Sequence, residues 1–298
     1  MTDRLFAKYI WLINTVYEAG KISFEAIARK WDNASVNDLH QPLLLRTFHN
    51  HRNAISAQFG IDIECDKKTN HYYIANPDAL KKNSINQWLL DSFSVSSTLM
   101  SNRNLANRIL LEEIPSGRQY LDLITSAMQE SRQIQIDYED FFGERYDDLL
   151  IEPYCLKMFK RRWYVLAYVP SIDTVRRFGL DRIQQIKLTD NTFNYPQDFS
   201  PDSFFHDFYG VIHEEKPTKI RLKAYREKSN YLRSLPLHHS QQEVETGEDY
   251  AIFEYRVAPT FDFVQEILSH GNQLEVFSPD SFRKQIKTII QEMFSFYE

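Results

Sequence analysis

Three short strand-like runs follow one another between Tyr154 and Leu180, and they narrow the fold more than any other stretch of this chain. Tyr154–Phe159 is closed by Lys160-Arg161-Arg162; Trp163–Tyr168 follows and is closed by Pro170–Thr174; Val175–Leu180 comes third, and Asp181-Arg182-Ile183 leads out toward IQQIKL. Runs this short, rich in aromatic and β-branched residues and joined by brief turns, read as antiparallel strands. With Ile134, Ile136 and Tyr138 alternating on an earlier run, the strands suffice for a small, strongly twisted sheet or open barrel of the kind that binds oligonucleotides on one face. On the middle run Trp163, Val165 and Ala167 share one side and Tyr164, Leu166 and Tyr168 the other, so one set is core.

Charge singles out the same stretch. From Cys155 to Lys187 there are eight Lys and Arg against Asp173 and Asp181, a local charge of +6 in a chain whose net charge is −6. By contrast, residues 1–76 sum to +1, 77–154 to −6 and 188–298 to −7. A basic island with aromatics on its strands is the expected footprint of an anionic partner, with Lys and Arg supplying charge and Trp, Tyr and Phe supplying stacking faces.

At 298 residues the chain is long enough for two or three domains, and 43% apolar residues can fill their cores. The sequence has no apolar run long enough to span a bilayer, and Asp3, Arg4, Lys8 and Glu18 do not make a signal-peptide pattern, so the expectation is a soluble cytoplasmic protein. Cys65 and Cys155 alone cannot make a disulfide framework or a thiolate zinc site.

Residues 1–76 read as three helices and a hairpin. Leu5, Tyr9, Leu12, Ile13 and Val16 recur at helical spacing before Gly20, and Ser23 is placed to cap a second helix carrying Phe24, Ile27, Ala28 and Trp31. Pro42 suits the first turn of a third helix, in which Leu44, Phe48, Ile55 and Phe59 mark the inner face, with His51 and Arg52 near its edges. At 100° per residue Arg46, His49, Asn50 and Asn53 fall on the opposite face with Thr47 on its flank. Arg suits guanine and Asn suits adenine in the major groove. After Gly60 the runs IDIEC and HYYIAN predict a hairpin with Lys67 and Lys68 at its tip. Three helices before a basic-tipped hairpin is the order of a winged helix-turn-helix, where the third helix reads bases and the wing touches phosphate; a protein-interaction module would show the same order.

Residues 77–117 read as a helical linker, with helices expected around Trp88–Leu99 and Leu105–Ile114. Asp137, Glu139 and Asp140 follow the first strand of the basic unit, but no histidine lies nearby, and they read as a solvated strand face rather than a metal or acid-base site. Residues 193–298 follow the order β-α-β-β-α-β of a ferredoxin-like fold. His238-His239 lacks a third ligand at metal spacing and, taken as adjacent strand positions, reads as a structural or interface pair.

The run Arg162-Trp163-Tyr164-Val165-Leu166-Ala167, followed by Arg176-Arg177-Phe178-Gly179-Leu180-Asp181-Arg182-Ile183, resembles the WYL domain of bacterial transcriptional regulators, with Val165 in place of the third letter. The resemblance extends to the whole chain, because such regulators have a winged helix-turn-helix in front and a ferredoxin-like extension behind. It implies an α+β chain: a winged helix-turn-helix over 1–76, a linker over 77–117, a small Sm-like or SH3-like WYL barrel over 118–192, and a ferredoxin-like dimerisation or regulatory extension over 193–298. It also implies that the barrel senses a nucleic-acid or other anionic ligand, that duplex DNA is a partner, and that the protein is a homodimer on an inverted-repeat operator. Carried over by motif position, Trp163, Tyr164, Arg176, Phe178 and Arg182 belong to the sensing site, with Tyr138 from the earlier strand; Arg177 and Lys160 join them on charge alone.

Two other function classes compete. The island could bind single-stranded nucleic acid as an end in itself, with the first domain serving protein contact. An enzyme is disfavoured: no Ser or Cys has a readable His partner, no metal cluster or cofactor site is legible, and no Gly-rich phosphate loop is found in a chain with 8 glycines.

Overall fold

A computed structural model describes residues 2–34, 36–37, 41–80 and 117–298. The two helices expected within the linker lie outside these residues. The chain divides into two units, Met1–Glu112 and Glu113–Glu298.

In the first unit, α1 (Thr2–Ala19) turns Tyr9, Leu12, Ile13 and Val16 into the core. The brief strand β1 (Ile22–Ser23) leads into α2 (Phe24–Asp32), whose first turn is capped by Ser23 Oγ accepting from the Ala26 amide at 3.3 Å. Helix α3 (Leu45–Phe59) buries Phe48, His51, Ile55 and Phe59 and ends at Gly60, where φ is +60° and the amide donates to the Ser56 carbonyl. Strands β2 (Ile63–Asp66) and β3 (His71–Ile74) form the expected hairpin, and β1 pairs with the other edge of β3.

Two details of α3 differ from expectation. Pro42 precedes the helix rather than opening it, and Leu44, in extended backbone at the N-cap, is 62% exposed; Leu43 fills the core instead. The apolar run there extends one residue past the point where the chain turns. His51, expected at an edge, is buried among Tyr9 and Trp31, which holds its imidazole below the usual range by desolvation.

The second unit opens with α4 (Leu121–Gln129), whose Ile124 and Ala127 are buried in the core of a five-stranded antiparallel sheet. Its strands are β4 (Arg132–Glu139), β5 (Arg145–Phe159), β6 (Arg162–Val169), β7 (Thr174–Gly179) and β8 (Ile183–Thr192), in the order β7-β6-β5-β4-β8. The first half of β5 pairs with β4 and the second half with β6, so this long strand carries the bend. The two edge strands, β7 and β8, are joined by the single turn Leu180–Arg182, which requires the sheet to curl back on itself at that end. The side of β6 bearing Val165 and Ala167 faces the core; Leu166, on the other side, is buried as well.

A short helix α5 (Pro201–Phe205) precedes the last sheet. That sheet comprises β9 (Thr218–Tyr225), β10 (Gln242–Thr246), β11 (Tyr250–Val257) and β12 (Leu274–Ser278), antiparallel in the order β10-β11-β9-β12. Helices α6 (Lys228–Ser234), α7 (Phe261–Ser269) and α8 (Asp280–Ser295) complete it, and the β-α-β-β-α-β order read from the sequence is present. Core residues such as Leu222, Phe253, Phe263 and Phe282 come from strands and helices alike.

The histidine pair needs correction. His238 and His239 lie in the turn after α6 rather than on a strand, so their rings are on one side with centroids 4.0 Å apart, and His206 brings its Nε2 within 3.1 Å of that of His239. Burial and the neighbouring imidazoles push His238 down to about 4. Among the described residues no group of His, Cys, Asp and Glu has the geometry to hold a metal.

Candidate functional site

Curling β7 toward the β4–β5 turn opens a cleft of about 810 Å³. Its floor is aromatic: Tyr138 and Phe178 are both buried, meet edge to face at 5.1 Å, and Tyr138 Oη accepts from the Gly179 amide at 3.4 Å. Burial raises the Tyr138 hydroxyl above its ordinary range, so it stays protonated. Arg176, Arg177 and Arg182 supply positive charge to the walls, against Asp140, Glu144 and Glu214.

The three arginines differ in what they already touch. Arg182 lies over the rings of Phe141, Tyr138 and Tyr164 at 4.6, 5.5 and 5.9 Å. Its Nε is buried with no hydrogen-bond acceptor, and Asp181 Oδ1 is 3.8 Å away, beyond hydrogen-bond reach. Arg177 Nη1 donates to Glu214 at 2.9 Å. Arg176 is exposed against the Tyr146 hydroxyl and pairs with no carboxylate among the described residues.

Tyr138, Arg176, Arg177, Phe178 and Arg182 are therefore brought together as expected, and three other candidates are not. Lys160 Nζ lies 2.9 Å from Glu266 and over the rings of Phe159 and Tyr209, joining the β5–β6 turn to α7. Lys160 and Arg161 are the two central residues of a tight hairpin turn with φ of +42° and +67°. Trp163 packs half-buried against the core of the sheet, and Tyr164 reaches Arg182 with its ring without lining the cleft.

The basic island is partly tied up within the fold, while Lys160, Arg161, Arg176 and Lys187 are exposed. Lys157 Nζ donates to the Gly210 carbonyl at 2.5 Å and sits 3.7 Å from the Phe205 ring centre, where burial pushes its ammonium down to about 8. Arg162 is held by Asp181, and Lys160 and Arg177 are held by the carboxylates named above. Three of the eight cations in the stretch, Arg176, Arg177 and Arg182, line the cleft, where they face three carboxylates from outside that stretch.

Several lining residues escaped sequence reasoning. Phe141 and Phe142 stand 70% and 95% exposed on the β4–β5 turn. Asp140 Oδ1 accepts from the amides of Phe142 and Glu144 at 2.8 and 2.9 Å and so fixes that turn. Asp137 Oδ1 accepts from the Asp148 amide at 2.9 Å, so two of the acids read as a solvated face organise the hairpin. His213 and Glu214 arrive from a segment outside the basic island. Two adjacent Phe beside a Gly in a polar turn were the available signal for the first pair; the second pair had none.

In the first unit, α3 exposes Arg46, Asn50 and Asn53, with Thr47 and His49 half-buried beside them. Among the described residues none hydrogen-bonds the side chains of Arg46, Asn50 or Asn53. His49 Nδ1 lies 3.3 Å from Arg52, and Arg52 in turn donates to the Ile63 carbonyl at 2.7 Å, fixing the helix to the hairpin. Lys67 and Lys68 are exposed at the hairpin tip.

Among solved structures, the chain is similar to proteasome accessory factor B/C (PafBC) of Arthrobacter aurescens, with 18% identity and a TM-score of 0.36 over 96% of this chain and 46% of that one. It is also similar to a CRISPR Cas-related protein, with 10% identity and a TM-score of 0.40 over 99% of this chain and 83% of that one. The chain thus spans less than half the length of the PafBC chain. No curated protein matches it. Family models match at the two sheets of the second unit: the WYL domain over residues 119–188 and the WCX domain over residues 216–294. The chain thus carries a WYL domain with a WCX domain behind it.

Proposed function

We propose that this chain is a DNA-binding transcriptional regulator in which the WYL cleft receives a nucleic-acid or other anionic ligand and thereby changes DNA binding by the first unit. The observation that carries the reading is the outer face of α3: Arg46, Asn50 and Asn53 are exposed together on one helix, with the Lys67-Lys68 hairpin tip in the same unit. Side chains of these types read base edges in a major groove, and the lysines suit phosphate. The WYL and WCX domains support a regulator, and the cleft's arginines over a Tyr138–Phe178 floor suit an anion that also carries a flat face.

In this reading the protein acts by binding and not by turnover, in the cytoplasm, as a homodimer on an inverted repeat. No described helix is long and apolar enough to cross a membrane, in keeping with that placement. Fluorescence anisotropy of the labelled upstream duplex tests it. Retention at low salt should fall linearly in log–log form as salt rises, because each neutralised phosphate releases counterions. Absence of duplex binding at low salt would overturn the reading.

A further inference from the structure

The segment from Gly210 to Glu215 links the two sheets of the second unit and lines two cavities. His213 and Glu214 form part of the wall of the WYL cleft. Ile212, Glu214 and Glu215 line a separate groove of about 420 Å³ bounded by α7 and α8, so Glu214 borders both.

The strap is held at its start. Gly210 has φ of +94° and passes so close to Asp262 that a Cβ would collide with that carboxylate. Asp262 Oδ2 accepts from the amides of Val211 and Ile212 at 2.8 and 3.0 Å, while Lys157 Nζ donates to the Gly210 carbonyl. Beyond these anchors, Glu214 lies on Arg177 at 2.9 Å, and the two side chains are 68% and 29% exposed. His213 Nδ1, in the same wall, is buried without a partner. The strap is thus fixed at 210–212, His213 packs its ring on Phe204 and Phe208, and from Glu214 onward the strap is exposed and meets the cleft through an ion pair that solvent can reach.

We propose that Glu214 is a built-in competitor for the WYL cleft: its carboxylate occupies the Arg177 guanidinium until a phosphate-bearing ligand displaces it, and the displacement frees the strap from Glu214 onward, beside the α7–α8 groove. This rests on the reading of the cleft as an anion site. A carboxylate and a phosphate offer Arg the same kind of charge-assisted hydrogen bond, so the two compete for one donor set. An exposed ion pair is weak enough to be exchanged, and that same weakness limits what its removal can gain. Ligand binding in the cleft would then be coupled to the C-terminal sheet through differential contacts of a single segment.

The test is the affinity of the full chain for a short labelled single-stranded oligonucleotide, measured by anisotropy for wild type, Glu214→Gln and Glu215→Gln. Glu215→Gln makes the same charge change one residue away, at a position that lines the groove and not the cleft. The expected result is that Glu214→Gln binds about threefold more tightly, in keeping with the small free energy of an exposed pair, while Glu215→Gln matches wild type. Equal tightening in both variants would assign the effect to long-range charge and overturn the proposal, as would no change in Glu214→Gln when wild type binds. Failure of wild type and Glu214→Gln alike to bind would instead overturn the anion-site reading beneath it. As a second readout, hydrogen exchange of the amides of 214–216 should quicken when the oligonucleotide is added to wild type; unchanged or slowed exchange would show that the strap is not released.

Discussion

Helix α3 and strand β7 both present arginines to solvent, yet the two surfaces differ in what their polar groups already touch. Along α3, the side chains of Arg46, Asn50 and Asn53 have no hydrogen-bond partner among the described residues. Around β7, Arg177 is on Glu214, Arg182 is stacked over three rings, and the preceding cations Lys157, Lys160 and Arg162 are tied to a carbonyl or to carboxylates. Residues 1–76, with a local charge of +1, therefore offer the more open polar face, and the stretch of +6 contributes to a nearly balanced cleft. Charge counted along a sequence bounds what a surface can offer; pairing in the fold decides how much of it is left for a partner.

The contrast can be broken most forcefully at α3. Replacing Arg46 and Asn50 together by Ala should weaken duplex binding by about 2–4 kcal/mol, since each well-made base contact is worth about 1–3 kcal/mol. Affinity for a single-stranded oligonucleotide should be unchanged in the same preparation. Loss of both signals in anisotropy would show that one surface serves both ligands.

The cleft side is sharpened by Phe142→Ala. Phe142 is nearly fully exposed on a turn fixed by Asp140, a position suited to stack a base rather than to pack a core. The substitution should weaken single-strand binding by about 1–2 kcal/mol, the range of a base–aromatic stack, and leave the melting temperature in place. An unchanged oligonucleotide affinity would remove Phe142 from the site.

Acid should act on the second unit through the histidine cluster. His238 is buried beside His239 and titrates at about 4 instead of its ordinary 6.5. The folded state thus disfavours the imidazolium, the unfolded chain binds the proton more tightly, and stability is lost as pH falls from about 6.5 toward 4. The loss should be on the order of 2 kcal/mol and should be smaller in His238→Gln, measured by urea unfolding at pH 7 and pH 4.5. A pH dependence identical in wild type and variant would contradict this.

The smallest effect expected is that of Lys160→Gln. Its ion pair with Glu266 is half exposed, so its loss should cost no more than about 1 kcal/mol of stability and should leave oligonucleotide affinity within twofold. Glu266, held well below its ordinary range, to about 2, by hydrogen bonds from His270, Lys160 and Tyr209, keeps other partners when Lys160 is removed. Strong loss of oligonucleotide binding would restore Lys160 to the site.

Local pattern made much of this molecule legible. The α1 stripe of Leu12, Ile13 and Val16, the Ser23 cap and the β-α-β-β-α-β order of the last sheet all follow from period and capping chemistry. Arg176, Phe178 and Arg182 were legible because the motif places them on one strand and its adjoining turn, and Tyr138 came from the earlier strand through the family resemblance. Lys160 was misplaced because charge alone does not say which way a turn points. His213 and Glu214 were invisible because a loop from another sheet brings them to the cleft, a tertiary event with no local signature. The same holds for the histidine cluster, where His206 meets His239 across 33 positions.

The most direct test of the division of labour is paired anisotropy on the full chain, with labelled upstream duplex in one cell and a labelled short single strand in the other, for wild type and Arg176→Glu. Arg176 lines the cleft and pairs with no carboxylate among the described residues, so reversing its charge attacks the cleft without breaking an internal ion pair. The account predicts that the single-strand signal falls by at least about tenfold, as expected for losing a charge-assisted contact, while duplex affinity stays within twofold. Loss of duplex and single-strand binding together would contradict it, making the cleft the main grip on nucleic acid.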